Sequence, residues 1–192
     1  MTKILITGAG ALLGQEIFNS LKHTKLVSDL FIGFADPSAF AVGLQWADAS
    51  HYIPFAINDD YIAVLIELLQ TNSYDFLIPG TDVELLKISS SIAQIEQRSG
   101  CKVVVSSRNV IDIANDKFLT ASFLSSHDFF PPKSWTSDTL NAEEISQLPY
   151  PLIVKPRDGA RSIGVLKINE PGELLEAVSI TRNPVIQECI GL

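Results

Sequence analysis

Cysteine is nearly absent: Cys101 and Cys189 are the only two in 192 residues, with no CxxC between them. That excludes a disulfide framework or a zinc knuckle, and predicts reduced, buried thiols in a cytoplasmic protein. Histidine is as sparse. His23, His51 and His127 are scattered, without metal-ligand spacing. Positive charge is in deficit, 14 Lys and Arg against 22 Asp and Glu, for a net charge of −8. A duplex or a membrane surface repels such a chain, so neither nucleic acid nor membrane is an expected partner. A local cationic pocket for a small phosphate compound stays open, because net charge does not describe a cleft. Long apolar runs are missing too. Residues 31–49 are interrupted by Asp36, Pro37 and Asp48, which rules out a span there. No basic-then-apolar leader is visible, since Lys3 runs straight into the strand-like Ile4-Leu5-Ile6.

What is there reads as a globular chain with a core, 46% hydrophobic and 19% charged. Residues 3–7 are a short apolar run closed by glycines, the pattern of a buried strand. Leu13, Ile17, Phe18 and Leu21 then share one helical face. Residues 30–35 predict a second strand and 51–54 a very short third. Ile62, Leu65, Ile66 and Leu69 follow at helical spacing behind Asp59 and Asp60, acids that favour a helix start. Residues 75–79 predict a strand, and 102–106 another. Between them Leu85, Ile88, Ile92 and Ile95 predict one helix ended by Gly100. Strands alternating with helices mean a parallel sheet covered on both faces. Residues 1–110 are therefore expected to form a Rossmann-like, doubly wound α/β domain.

Beyond residue 110 the pattern changes. Residues 116–126 predict a helix, and Phe130-Pro131-Pro132 forbids its continuation. A short surface helix is expected over 141–148. Residues 152–155 and 165–168 are strand-like, around the polar loop 156–164. A helix over 173–180, with Pro171 near its start, and a strand over 185–188 follow. Residues 111–192 are expected to be a small α+β unit, incomplete because the sequence stops four residues after Glu188.

Two glycine-bearing segments point to phosphate. The first, Gly8-Ala9-Gly10-Ala11-Leu12-Leu13-Gly14, lies between the first strand and helix, with Asp36 at the end of the second strand. Such a turn holds dinucleotides in short-chain dehydrogenases, but the fold needs small residues there whatever it binds. A reductase of that type also needs Tyr-x-x-x-Lys, and none of Tyr52, Tyr61, Tyr74 and Tyr150 has Lys four residues on. The second segment carries more. Lys155 ends the apolar run Leu152-Ile153-Val154, so its stem is buried and its ammonium aimed. The loop after it holds Gly159, Ser162 and Gly164, suited to donate backbone N–H groups to phosphate, while Arg157 and Arg161 add positive charge.

With these residues in view the chain resembles the ATP-grasp superfamily. Val154-Lys155-Pro156 and the loop ending at Gly164-Val165 are similar to that family's strand, phosphate-contacting lysine and flexible lid. Asn115-Asp116-Lys117-Phe118 is similar to its Asp-Lys at a helix start, which implies a second phosphate contact at Lys117. Val185-Ile186-Gln187-Glu188-Cys189-Ile190-Gly191 is similar to the hinge strand that holds adenine, which implies that backbone groups of Glu188, Cys189 and Ile190 read the base edge. Residues 75–79 followed by Thr81-Asp82-Val83-Glu84 resemble the preceding domain of carbamoyl-phosphate-synthase-like members, though Asp82 and Glu84 also read as acids complementing a helix dipole. The resemblance covers the whole chain. It implies a pre-ATP-grasp domain over 1–110 and a first, truncated ATP-grasp subdomain over 111–192. The family's further subdomain, with its ribose contact and magnesium ligands, has no counterpart here.

The expectation is therefore part of an ATP-dependent ligase that joins a small carboxylate to an amine through an acyl phosphate, using ATP and Mg2+. The isolated chain is expected to be inactive. No metal ligand and no general base is assigned. The alternatives are an NAD(P)-dependent reductase and a non-catalytic nucleotide-binding module.

Overall fold

A computed structural model describes residues 1–25, 27–159 and 162–191. The chain divides into two compact units, Met1–Arg108 and Asn109–Leu192. In the first unit β1 (Thr2–Thr7), β2 (Leu30–Asp36), β3 (Ala49–Tyr52), β4 (Phe76–Ile78) and β5 (Lys102–Val103) form a parallel sheet of order β3-β2-β1-β4-β5. The period-2 alternation of β1 feeds both faces. Leu5 joins one core with residues of α2 (Tyr61–Asn72), α3 (Asp82–Ser90) and α4 (Ile92–Ser99). Ile4 and Ile6 join a second core with Phe18 of α1 (Leu12–Lys22). A strand buried on both sides needs the near-continuous apolar run that the sequence carries. The doubly wound class is borne out.

Two elements differ from the sequence expectation. The single helix over 85–99 is two, separated at Ser91. Ser89 and Ser90 both donate their hydroxyls to the Leu86 carbonyl, at 3.2 and 2.7 Å, which competes with the helical ladder. Ile88 and Ile95 still enter the same core, so the apolar period crosses the break. The strand expected over 102–106 is only Lys102–Val103, because its neighbour β4 offers three residues to pair with.

The second unit has its own antiparallel sheet, of order β6-β9-β7-β8: β6 (Ser134–Trp135), β7 (Leu152–Pro156), β8 (Leu166–Ile168) and β9 (Pro184–Glu188). Helix α8 (Pro171–Ile180) covers one face, where Leu152, Val154, Ile168, Leu174, Ala177 and Ile186 are buried together. By alternation, Ile153, Lys155, Gln187 and Ser134 belong to the opposite face. Helices α5 (Arg108–Asn115), α6 (Lys117–Ser126) and α7 (Ala142–Ser146) complete the described α-helices. Helix α5 and strand β6 were not expected from sequence; β6, at two residues, is too short to leave a period. No described helix is long and apolar enough to cross a membrane.

Candidate functional site

The glycine turn after β1 is filled by its own chain. Asp36 is buried, and its carboxylate accepts from the Gly10 and Ser38 amides, each at 2.8 Å. The Gly43 amide donates to the Ala9 carbonyl at 3.1 Å, and a Cβ on Gly43 would meet that oxygen at 2.5 Å. A Cβ on Gly14 would lie 2.3 Å from the Gly8 carbonyl, and one on Gly80 would lie 2.2 Å from that of Thr7. These glycines serve close backbone approach.

Glu84 is the residue whose setting the sequence missed. It is buried rather than a solvated helix-start acid. Its carboxylate accepts from the hydroxyls of Thr7 (2.8 Å), Thr81 (2.5 Å) and Tyr61. Burial, then the charge and hydrogen bond of Glu84, push the Tyr61 phenol far above its ordinary value. The Thr-x-x-Glu spacing reads locally as a helix start, and Thr7 and Tyr61 come from remote elements.

In the second unit one pocket of about 200 Å³ brings together the two lysines singled out from sequence. Lys117, Lys155, Gly159 and Ser162 line it, with Asp158 beside them. Two larger hollows of the same unit, of about 320 and 680 Å³, contain Lys133 as their single lysine. Lys155 leaves the face of β7 away from α8, half-buried, and donates to Gln187 Oε1 at 2.7 Å. Burial first, and the Lys117 charge second, hold its pKa below the ordinary lysine value. Lys117 is held by carbonyls of the loop itself, Arg157 O at 3.2 Å and Gly159 O at 2.9 Å. Gly159 and Gly164 both have left-handed backbone, φ +100° and +72°, which only glycine adopts cheaply, and Gly164 packs over the Pro156 ring. Ser162 also has positive φ, +57°.

Arg157 does not contribute the free charge expected of it. Its guanidinium pairs with Asp116, Nε at 3.0 and 2.9 Å from the two carboxylate oxygens and a terminal nitrogen at 2.7 Å, and lies over the Phe118 ring. Arg182 pairs likewise with Asp158. Arg161 lies outside the described residues. Asp116 also caps α6, accepting from the Phe118 and Leu119 amides at 2.9 and 3.1 Å. Burial raises the Asp116 pKa, but the Arg157 and amide hydrogen bonds outweigh it and hold the carboxyl below the usual range. A depressed carboxylate contributes stability above the unfolded-state value, about 4, which is lost as pH falls through the folded value. Asp116→Asn is expected to cost about 1–2 kcal/mol at neutral pH and to flatten that acid dependence. Urea unfolding followed at Trp135 measures both, and an unchanged acid limb would contradict the ion pair.

Glu188, Cys189 and Ile190 sit elsewhere on the sheet. Lys155 is opposite Val185 and Glu188 is opposite Leu152, three residues or about 10 Å along the strand. The Glu188 amide already donates to Lys133 O at 2.9 Å and that of Cys189 to Pro151 O at 3.4 Å. Cys189 is partly buried and Cys101 fully, both as free thiols.

Residues 114–191 match the family model of the ATP-grasp domain. The ATP-grasp enzyme fsqD of Aspergillus fumigatus is 41% identical over 66 residues, which is 34% of this chain and 11% of that protein. Among solved structures, N5-carboxyaminoimidazole ribonucleotide synthetase from Thermotoga maritima is similar with a TM-score of 0.72 at 20% identity, over 100% of this chain and 47% of that one. L-amino acid ligase from Bacillus licheniformis gives 0.72 at 16% identity, over 99% and 44%. At such identities the likeness is one of fold. The chain spans less than half the length of these two structures and about a tenth of the curated relative.

Proposed function

We propose that this chain is the front part of an ATP-grasp ligase, and that its second unit holds ATP phosphates between Lys117 and Lys155. The observation that carries the reading is the meeting of these two lysines, 38 residues apart in sequence, in one pocket lined by Gly159 and Ser162 of a glycine-bearing loop. An acidic chain gains nothing from two ammonium groups repelling each other in a half-buried hollow unless an anion offsets them. Each lysine acts as a point charge on phosphate oxygens. Gly159, Ser162 and Gly164 shape the lid. Adenine lies toward the end of β9, its edge read by the Glu188 and Cys189 carbonyls and the Ile190 amide, since the other two amides are engaged.

In the whole ligase, ATP phosphorylates a small carboxylate and an amine displaces the phosphate from the resulting acyl phosphate. The match of residues 114–191 to the ATP-grasp domain supports the ATP-dependent class. The finer affiliation with carbamoyl-phosphate-synthase-like members rests on the sequence around residues 75–84, and the assignment of 1–110 as a pre-ATP-grasp domain rests on the same resemblance. Magnesium does not fit here: among the described residues no three His, Cys, Asp or Glu side chains converge to hold a metal ion.

The test is a pair of titrations of the 192-residue chain. ATP is expected to bind in the millimolar range, about 4 kcal/mol, without phosphate release. NADPH is expected not to saturate, because the turn that would hold it is packed by its own chain. Micromolar NADPH binding lost in Gly10→Val would replace this reading with a reductase, and metal-dependent turnover by the chain alone would refute its partial character.

A further inference from the structure

On the sheet face away from α8, Gln187 of β9 lies directly opposite Ser134 of β6 and diagonally across from Lys155 of β7, whose own cross-strand neighbour is Val185. The bonds linking the three side chains have one possible direction. The Pro132 carbonyl can only accept, so the Ser134 hydroxyl, 2.9 Å away, donates to it. Ser134 Oγ is then the acceptor for the Gln187 carboxamide, which must present its Nε2 at 2.9 Å. The other end of the amide, Oε1, is thereby turned to Lys155 Nζ at 2.7 Å. A flipped amide would set NH2 against NH3⁺. The pocket explains the need for this arrangement. Lys117 rests on two loop carbonyls, whereas Lys155 donates to this amide oxygen. Among the described residues, Lys117 from α6 and Asp158 from the loop are the charged groups that share its pocket.

We infer that Gln187 is a positioning residue for the phosphate lysine: anchored through Ser134 to the Pro132 carbonyl, it holds the Lys155 ammonium on line for the nucleotide. This rests on the reading of Lys155 as a phosphate contact. A neutral acceptor suits the task. It compensates the ammonium while the pocket has no anion, and it neither repels an arriving phosphate nor forms an ion pair that must be broken.

The test follows the Lys155 side-chain 13Cε signal of the 192-residue chain across pH, assigned by its loss in Lys155→Arg, beside titrations with ATP. Gln187→Leu is expected to move the Lys155 titration to lower pH, because burial and Lys117 act without the acceptor. Gln187→Glu, nearly isosteric and so least disturbing to the fold, is expected to move it to higher pH. Both should weaken ATP binding about tenfold, Leu by freeing the ammonium and Glu by competing with and repelling phosphate. Ser134→Ala should act in the direction of Gln187→Leu, by less. A Lys155 titration unchanged in both Gln187 variants overturns the inference, and so does a shifted titration with wild-type ATP affinity. Wild-type affinity in Lys155→Ala would instead sink the phosphate reading, while the titration still reports whether Gln187 governs Lys155.

Discussion

Replacing Lys155 by alanine is expected to lower phosphate release by the proposed ligase at least a hundredfold, about 2.7 kcal/mol of lost stabilisation. A charge-assisted contact in a half-buried site is worth that much because little water screens it, and negative charge builds on the leaving phosphate oxygens along the reaction. Lys117→Ala should act similarly, since the same pocket holds its ammonium. Lys25→Ala, on an exposed segment of the first unit, should leave the rate within twofold, about 0.4 kcal/mol. Steady-state phosphate release by the three variants decides. A ligase indifferent to the loss of Lys155 would end the assignment. The pH dependence has a definite sign. The proposed Lys155–phosphate contact requires a charged ammonium and is expected to be lost as pH rises through the Lys155 pKa, which burial and Lys117 hold below the ordinary lysine value. Affinity for ATP should therefore fall on the alkaline side sooner than a solvated lysine would allow.

The second large effect belongs to the first unit. Glu84→Ala is expected to destabilise it by about 3 kcal/mol or more. The substitution leaves the Thr7, Tyr61 and Thr81 hydroxyls without their shared acceptor in a buried place, and opens a cavity. Glu84→Gln should cost less, about 1 kcal/mol, because shape and one acceptor oxygen survive. Trp46 reports this unit and Trp135 the other, so urea unfolding of a Trp135→Phe background isolates the effect. Loss of less than about 0.5 kcal/mol in Glu84→Ala would mean that the three hydroxyls find other partners.

Local pattern determined most of the architecture. Apolar runs such as Ile4-Leu5-Ile6, spaced by helical periods, dictate a parallel sheet covered on both faces, because a strand flanked by two helix layers must be apolar on both sides. Pro131-Pro132 bars a helix from running through them, although α6 already ends at Ser126, ahead of the left-handed Asp128. Lys155 behind an apolar strand and ahead of glycines marks an aimed ammonium, since that environment is set by neighbours in sequence. Tertiary structure alone decided which charges remain available. Arg157 and Lys155 look equivalent as cations, yet Asp116, 41 residues away, takes the first while a neutral glutamine from another strand meets the second. Glu84 shows the same rule in reverse: a helix-start acid by sequence becomes a buried acceptor because β1 and α2 bring Thr7 and Tyr61 to it. The energy of a charge is set by its partners and its access to water, and both are fixed only when remote segments meet.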